Sequence, residues 1–237
     1  FVEHGHPAVV ASGEVSVRTG DFNRDGKADF AVVDLVSGLV TVQLGDGLGN
    51  FTPAPGSPFP GSTFATSFVV TDFNRDGKQD LAITNATANA VKLWFGQGNG
   101  EFQAGDSFSV ATHPVTIAAG DLNGDGIEDL AVATEHSGST LLLGDGEGGF
   151  YGSTDYPESG TLAIQDINLD GKPDLLFANG VRLNTASAFV CEQPSFAAPV
   201  SFATGTNPFR VATDDFNRDG KLDLVVTNSG SGNVTIL

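Results

Sequence analysis

Methionine is absent from the 237 residues, and cysteine, tryptophan and tyrosine number one, one and two. The single thiol, Cys191, excludes an intramolecular disulfide, so apolar packing and bound ions must supply any stabilisation beyond the backbone. Bases are scarce: 11 Lys and Arg face 29 Asp and Glu, and the net charge of -18 argues against nucleic acid and anionic lipid as partners. No apolar run approaches the ~20 residues of a membrane-spanning helix, so no membrane insertion is expected. The histidines, His4, His6, His113 and His136, show no spacing that would assemble a zinc site or a Ser-His-Asp triad. The lack of methionine leads us to expect a processed product or an excised piece.

Aspartate and glycine, by contrast, are abundant and in register. DFNRDGKAD from Asp21 recurs as DFNRDGKQD from Asp72, DLNGDGIED from Asp121, DINLDGKPD from Asp166 and DFNRDGKLD from Asp215, at spacings of 51, 49, 45 and 49 residues. Each copy places side-chain oxygens at positions one, three, five and nine and a glycine at position six. That pattern suits a hard cation that takes six to eight oxygens around a sharp turn, and it predicts about five calcium ions. Magnesium fits less well, because it demands a stricter octahedron. Three aspartates per loop account for 15 of the 29 acids, and five divalent ions would leave a formal -8, ordinary for a soluble domain.

An EF-hand would carry a carboxylate at position twelve and continue as a helix. Here position twelve is Val32, Ile83, Val132, Phe177 and Val226, and the residues after each loop (FAVVD, LAITN, LAVAT, LLFAN, LVVTN) read as short strands. A turn and a third apolar run follow (LVTVQL, AVKLWF, STLLL, VRL, NVTIL), with Asn179-Gly180 read as a hairpin turn in the fourth unit. Glycine loops then end in Phe51, Phe102 and Phe150, expected as core anchors opening an outer strand. In the fourth unit Thr185 to Ser195 reads as a longer surface loop, and Phe196 keeps the anchoring place.

Four strands per unit of this length predict an all-β chain, a β-propeller of four-stranded antiparallel blades. We expect a single domain over 1–237, with units of approximately 1–50, 51–101, 102–149, 150–195 and 196–237. Five blades are expected, closed by Phe1 to Ala8 supplying the outer strand that the last unit lacks, so that N- and C-terminal strands share one blade.

The unit DxNxDGxxD, followed by LAV and a glycine loop ending in Phe, resembles the FG-GAP and VCBS repeats of integrin α-subunit propellers, fungal propeller lectins and bacterial surface proteins. The resemblance implies a calcium loop between the first and second strands of each blade. Its side-chain ligands would be Asp21, Asn23, Asp25 and Asp29; Asp72, Asn74, Asp76 and Asp80; Asp121, Asn123, Asp125 and Asp129; Asp166, Asn168, Asp170 and Asp174; and Asp215, Asn217, Asp219 and Asp223. Lys27, Lys78, Ile127, Lys172 and Lys221 at position seven would give backbone carbonyls only.

We expect a secreted or cell-surface binding or adhesion module, lectin-like and without enzymatic activity, whose partner is a glycan or an extracellular protein. A structural or protein-interaction module of a larger surface protein is the rival reading, and a polysaccharide-active enzyme the weaker one. Trp94 is the sugar-stacking candidate, although its equivalents, read as Gln43, Leu142 and Ile236, favour packing between blades. Arg24, Arg75 and Arg218 at position four read as solvent-facing charges that offset the carboxylates.

Overall fold

The computed structural model describes residues 15–186 and 194–237. Every described element is a β-strand, as the short apolar runs between glycine turns predict. The chain packs as two compact units.

The first unit runs to Pro114 and takes in Gly146–Gly149. Its first sheet joins β1 (Val15–Gly20), β2 (Asp29–Asp34), β3 (Leu39–Gly45) and β4 (Phe51–Pro53) in order, with β5 (Phe59–Pro60) also paired to β3. Its second joins β6 (Phe68–Thr71), β7 (Asp80–Asn85), β8 (Ala90–Gly96) and β9 (Phe102–Ser109). Phe22, Val33, Val40, Val42, Phe68, Leu81 and Ile83 form its buried core.

The second unit comprises Val115–Asp145 and Phe150–Leu237. One sheet joins β10 (Pro114–Gly120), β11 (Asp129–Thr134), β12 (Ser139–Gly144) and β13 (Phe150–Tyr156). The next joins β14 (Leu162–Gln165), β15 (Asp174–Phe177), β16 (Gly180–Arg182) and β17 (Val200–Ser201). Three described strands, β18 (Pro208–Asp214), β19 (Asp223–Asn228) and β20 (Asn233–Ile236), form the last.

All pairings are antiparallel and, apart from β5 on β3, join sequence neighbours, the meander of a propeller blade, and five such sheets make the all-β fold a five-bladed β-propeller. Each acidic loop joins first to second strand, its mouth closed by pairs such as Gly20 with Asp29 and Thr71 with Asp80. Phe1 to Ala8, expected to complete the last blade, lie outside the described residues, as do Cys191, His4 and His6.

Register corrects four details. The anchoring phenylalanines are less buried than expected: Phe51 is 42% exposed and Phe102 and Phe150 are half-buried, because an outer strand has solvent on one side. Burial falls instead on position two of the loops, where Phe22, Phe73 and Leu122 are enclosed. Phe177 pairs with Gly180, so the fourth unit's turn is Ala178-Asn179 and Gly180 belongs to β16, where Val200's carbonyl leaves no space for a Cβ. Trp94 pairs with Leu81, and the equivalent pairings give Gln43, Leu142, Arg182 and Leu237 rather than Ile236.

In the blade with the shortest outer strand, Arg182 extends its guanidinium Nε and Nη2 to the two Glu158 carboxylate oxygens at 2.7 and 2.9 Å, donates to the Ala197 carbonyl and lies over the Tyr156 ring. The described ends of the long loop are tied by Thr185 N–H to the Ser195 carbonyl and Ala197 N–H to the Leu183 carbonyl. Arg182→Ala should therefore cost about 3–5 kcal/mol by stranding the mostly buried Glu158 charge. Urea denaturation checks this, and the double variant Arg182→Met with Glu158→Gln should lose less.

Candidate functional site

The five nonapeptide loops fold alike because their side chains bind their own backbone. Position one accepts from two amides: Asp21 Oδ1 and Oδ2 take the N–H groups of Asp25 and Gly26 at 3.1 and 2.9 Å, and Asp72, Asp121, Asp166 and Asp215 do the same. The position-three oxygen of Asn23, Asn74, Asn123, Asn168 and Asn217 converges on the same position-five N–H. Position five accepts from position seven, so the backbone N–H groups of Lys27, Lys78, Ile127, Lys172 and Lys221 are all engaged. Its second oxygen takes Lys27 or Lys78 Nζ in the first two loops, and Asn123, Asn168 or Asn217 Nδ2 in the others.

Position nine does something the spacing did not reveal. Asp29, Asp80, Asp129 and Asp174 are buried, and each carboxylate bridges two elements. One oxygen accepts the position-two N–H of Phe22, Phe73, Leu122 or Ile167 at 2.8 to 3.0 Å. The other accepts an N–H at the end of the third strand, from Gly45, Gly96, Gly144 or Asn184, at 2.7 to 2.9 Å. Asp223 keeps the first of these bonds, to Phe216. The third strand ends in glycine because a Cβ there would stand 2.1 to 2.4 Å from the carbonyl oxygen of Ala28, Gln79 or Glu128.

The loops also link neighbouring blades within each unit. Phe22's carbonyl accepts Gly100 N–H of the next glycine loop, and Gln79's side-chain oxygen accepts Asp21 N–H. In the fourth blade, which has no glycine loop, Asn184 Nδ2 reaches the equivalent Leu122 carbonyl at 2.8 Å. Sequence reasoning passed over Asn184 and Gln79; the signal for Asn184 was its alignment with the glycine ending the other third strands.

Burial pushes the Asp80 and Asp129 carboxyls up to about 6 and about 7, against backbone N–H bonds that lower them, and the neighbouring loop aspartates add to the rise. Asp174 is raised for the same reason. Among the described residues no three His, Cys, Asp or Glu side chains are gathered to hold a metal ion, since the carboxylates are spent on backbone N–H groups. The donor chemistry nevertheless fits a hard cation: every loop offers three carboxylates and an amide oxygen, and positions one and three already meet on one N–H.

Position four has a left-handed backbone in every loop: φ is 61° at Arg24, 57° at Arg75, 60° at Leu169, 63° at Arg218 and 78° at Gly124. A side chain there costs roughly 1–2 kcal/mol, which Gly124 avoids. Beside Gly124 opens a cavity of about 450 Å³, lined by Asp121, Asn123, Gly124, Asp170, Lys172 and Asn184. Trp94 is half-buried, donates its indole N–H to the Gly61 carbonyl and packs 4.8 Å from Phe59, while one edge lines a groove with Asn85, Lys92 and Ser107.

A propeller with an acidic loop in each blade defines the class, and the sequence places the chain within it. FG-GAP-like repeats match at residues 21–83, 72–132, 121–177 and 166–226, so the chain belongs to the FG-GAP-like repeat family. No curated protein matches it. Among solved structures, it is similar to the biofilm matrix protein Bap1 of V. cholerae at 18% identity and TM-score 0.58, covering 96% of this chain and 38% of that one. It is similar to the BP39L lectin of Burkholderia pseudomallei at 15% identity and TM-score 0.68, covering 98% and 70%. Virginiamycin B lyase from Staphylococcus aureus is similar at 13% identity and TM-score 0.53, covering 94% and 74%. At these identities the likeness is one of fold, which hosts binding proteins and an enzyme alike.

Because folded Asp80 and Asp129 hold their protons above the unfolded value of about 3.9, the native state binds more protons between about pH 4 and 7. Chelator-treated protein should therefore lose stability as pH rises through that window and level off above it. Denaturation midpoints at pH 5 and pH 8 in chelator check this; a higher midpoint at pH 8 would contradict it.

Proposed function

We propose that the chain is a calcium-loaded, non-enzymatic extracellular module that binds carbohydrate. The cavity beside Gly124 is the observation that carries the carbohydrate reading. Its aspartates can accept and Lys172 can donate hydrogen bonds to hydroxyl groups, the Pro173 and Ala186 surfaces suit a sugar's apolar face, and its size exceeds one sugar ring. Fold likeness to a lectin and to a biofilm matrix protein supports the same class. Calcium would be held by positions one, three and five of each loop, with position seven offering its carbonyl and position nine the remaining lone pairs of a carboxylate already fixed by backbone N–H groups. The ions would neutralise the clustered carboxylates and pin the turn between first and second strands.

Calorimetric titration of chelator-stripped protein should show near five calcium equivalents, and chelator should lower the melting temperature. An uptake of zero or one ion would overturn the calcium reading. A glycan array with and without calcium tests the ligand. Gly124→Arg, which installs the residue three sister loops already tolerate at that φ, should keep the fold and abolish capture by filling the cavity. Silence of the folded wild type on the array would favour a scaffold or protein-binding module.

A further inference from the structure

Arginine at position four is an odd choice, since its left-handed backbone favours glycine, and it occurs three times. Arg24 shows where such a side chain goes. It leaves the first loop and crosses to the second blade, where its Cδ lies 3.2 Å from the point a Cβ on Gly98 would occupy. Lys78 Cδ lies 3.1 Å from the same point, so two cationic stems share one glycine floor. The Arg24 Nη2 atom continues to within 3.9 Å of the equivalent point on Gly77. Among the described residues no hydrogen bond or ion pair engages Arg24, whereas Lys78 pairs with Asp76 at 2.9 Å.

We propose that Arg24 and Lys78 form a binding site for the carboxylate or sulfate group of an acidic polysaccharide. The planar guanidinium matches either group with two parallel N–H bonds, the lysine adds a point charge, and Gly98, having no side chain, lets both stems lie across it side by side. The charges facing the site are those of the first two acidic loops and of the glycine loops beside them, and this is where the inference rests on the calcium reading above. Asp21, Asp25, Asp29, Asp46, Asp72, Asp76, Asp80 and Glu101 against Arg24, Lys27, Arg75 and Lys78 leave -4, which two calcium ions would cancel. The acids elsewhere on the chain are screened beyond about 8 Å at physiological salt. Bound ions would thus cancel the repulsion that the loop carboxylates exert on an incoming anion, leaving the guanidinium free to take it.

The test uses the full chain with an oligogalacturonate, a heparin-derived oligosaccharide and a neutral dextran oligosaccharide, each titrated with calcium and with chelator. With calcium, one or both acidic ligands should bind more tightly than dextran, and the first two arms decide between carboxylate and sulfate. Arg24→Gln and Lys78→Gln should each weaken that binding roughly tenfold, and Arg24→Lys should recover only part of it. Dextran affinity, calcium stoichiometry and melting temperature should not change in Arg24→Gln. Equal affinity of wild type and variants, no preference over dextran, or no binding of either acidic ligand by protein that has taken up its calcium overturns the inference alone. Failure to take up calcium overturns the calcium reading, and with it this one.

Discussion

A buried carboxylate that accepts backbone N–H bonds from two directions holds each complete blade together. The position-nine aspartate sits where second strand, acidic loop and third-strand end meet, and it satisfies amides that no strand partner could reach. Leaving such N–H groups buried and unpaired would cost about 1–3 kcal/mol each, which explains a charged residue in an otherwise apolar setting. Because the bond draws the third strand's end against the position-eight carbonyl, that strand must end without a Cβ, and glycine follows. The loop's shape, the strand's end and the position-two plug are thus consequences of one contact.

The departures from the repeat are informative for the same reason. The fourth unit lacks the glycine loop yet retains both of its jobs: Asn184 supplies the backbone N–H to Asp174, and its side chain replaces the inter-blade bond that Gly100 makes elsewhere. Arg182 stands where Trp94 stands in the second blade, and both are occupied with packing, one over Tyr156 and the other against Phe59. The fold asks of that position only a side chain that can fill a buried or half-buried site, which is why Gln43, Trp94, Leu142 and Arg182 all serve.

Position four is under no such constraint, and there the blades diverge. The backbone is left-handed whatever the residue, so the choice between Gly124 and Arg24 does not alter the loop; it alters what the loop displays. Glycine leaves a cavity, and arginine lays a cation over the neighbouring blade. Variation at a place that leaves the loop's shape unchanged is where binding specificity can change at a cost of only about 1–2 kcal/mol.

The repeat, the strand order and the acidic loops were legible from residue types alone, because period, turn glycines and β-branched runs are local signals. DxNxDGxxD marks the loops wherever it occurs, and apolar residues at position twelve excluded a helix. What lay beyond local signals was the division of labour among the aspartates. Nothing in the spacing separates Asp21, facing its own loop, from Asp29, reaching a strand 16 residues on. The Arg182 to Glu158 pair, the Asn184 substitution, the cavity beside Gly124 and the crossing of Arg24 to Gly98 likewise depend on which segments the fold brings side by side. Sequence by itself determined the blade and its loop, since both are built from contacts within a few dozen residues; tertiary structure alone decided which loop residues face a neighbour, because that depends on blade-to-blade geometry no single repeat contains.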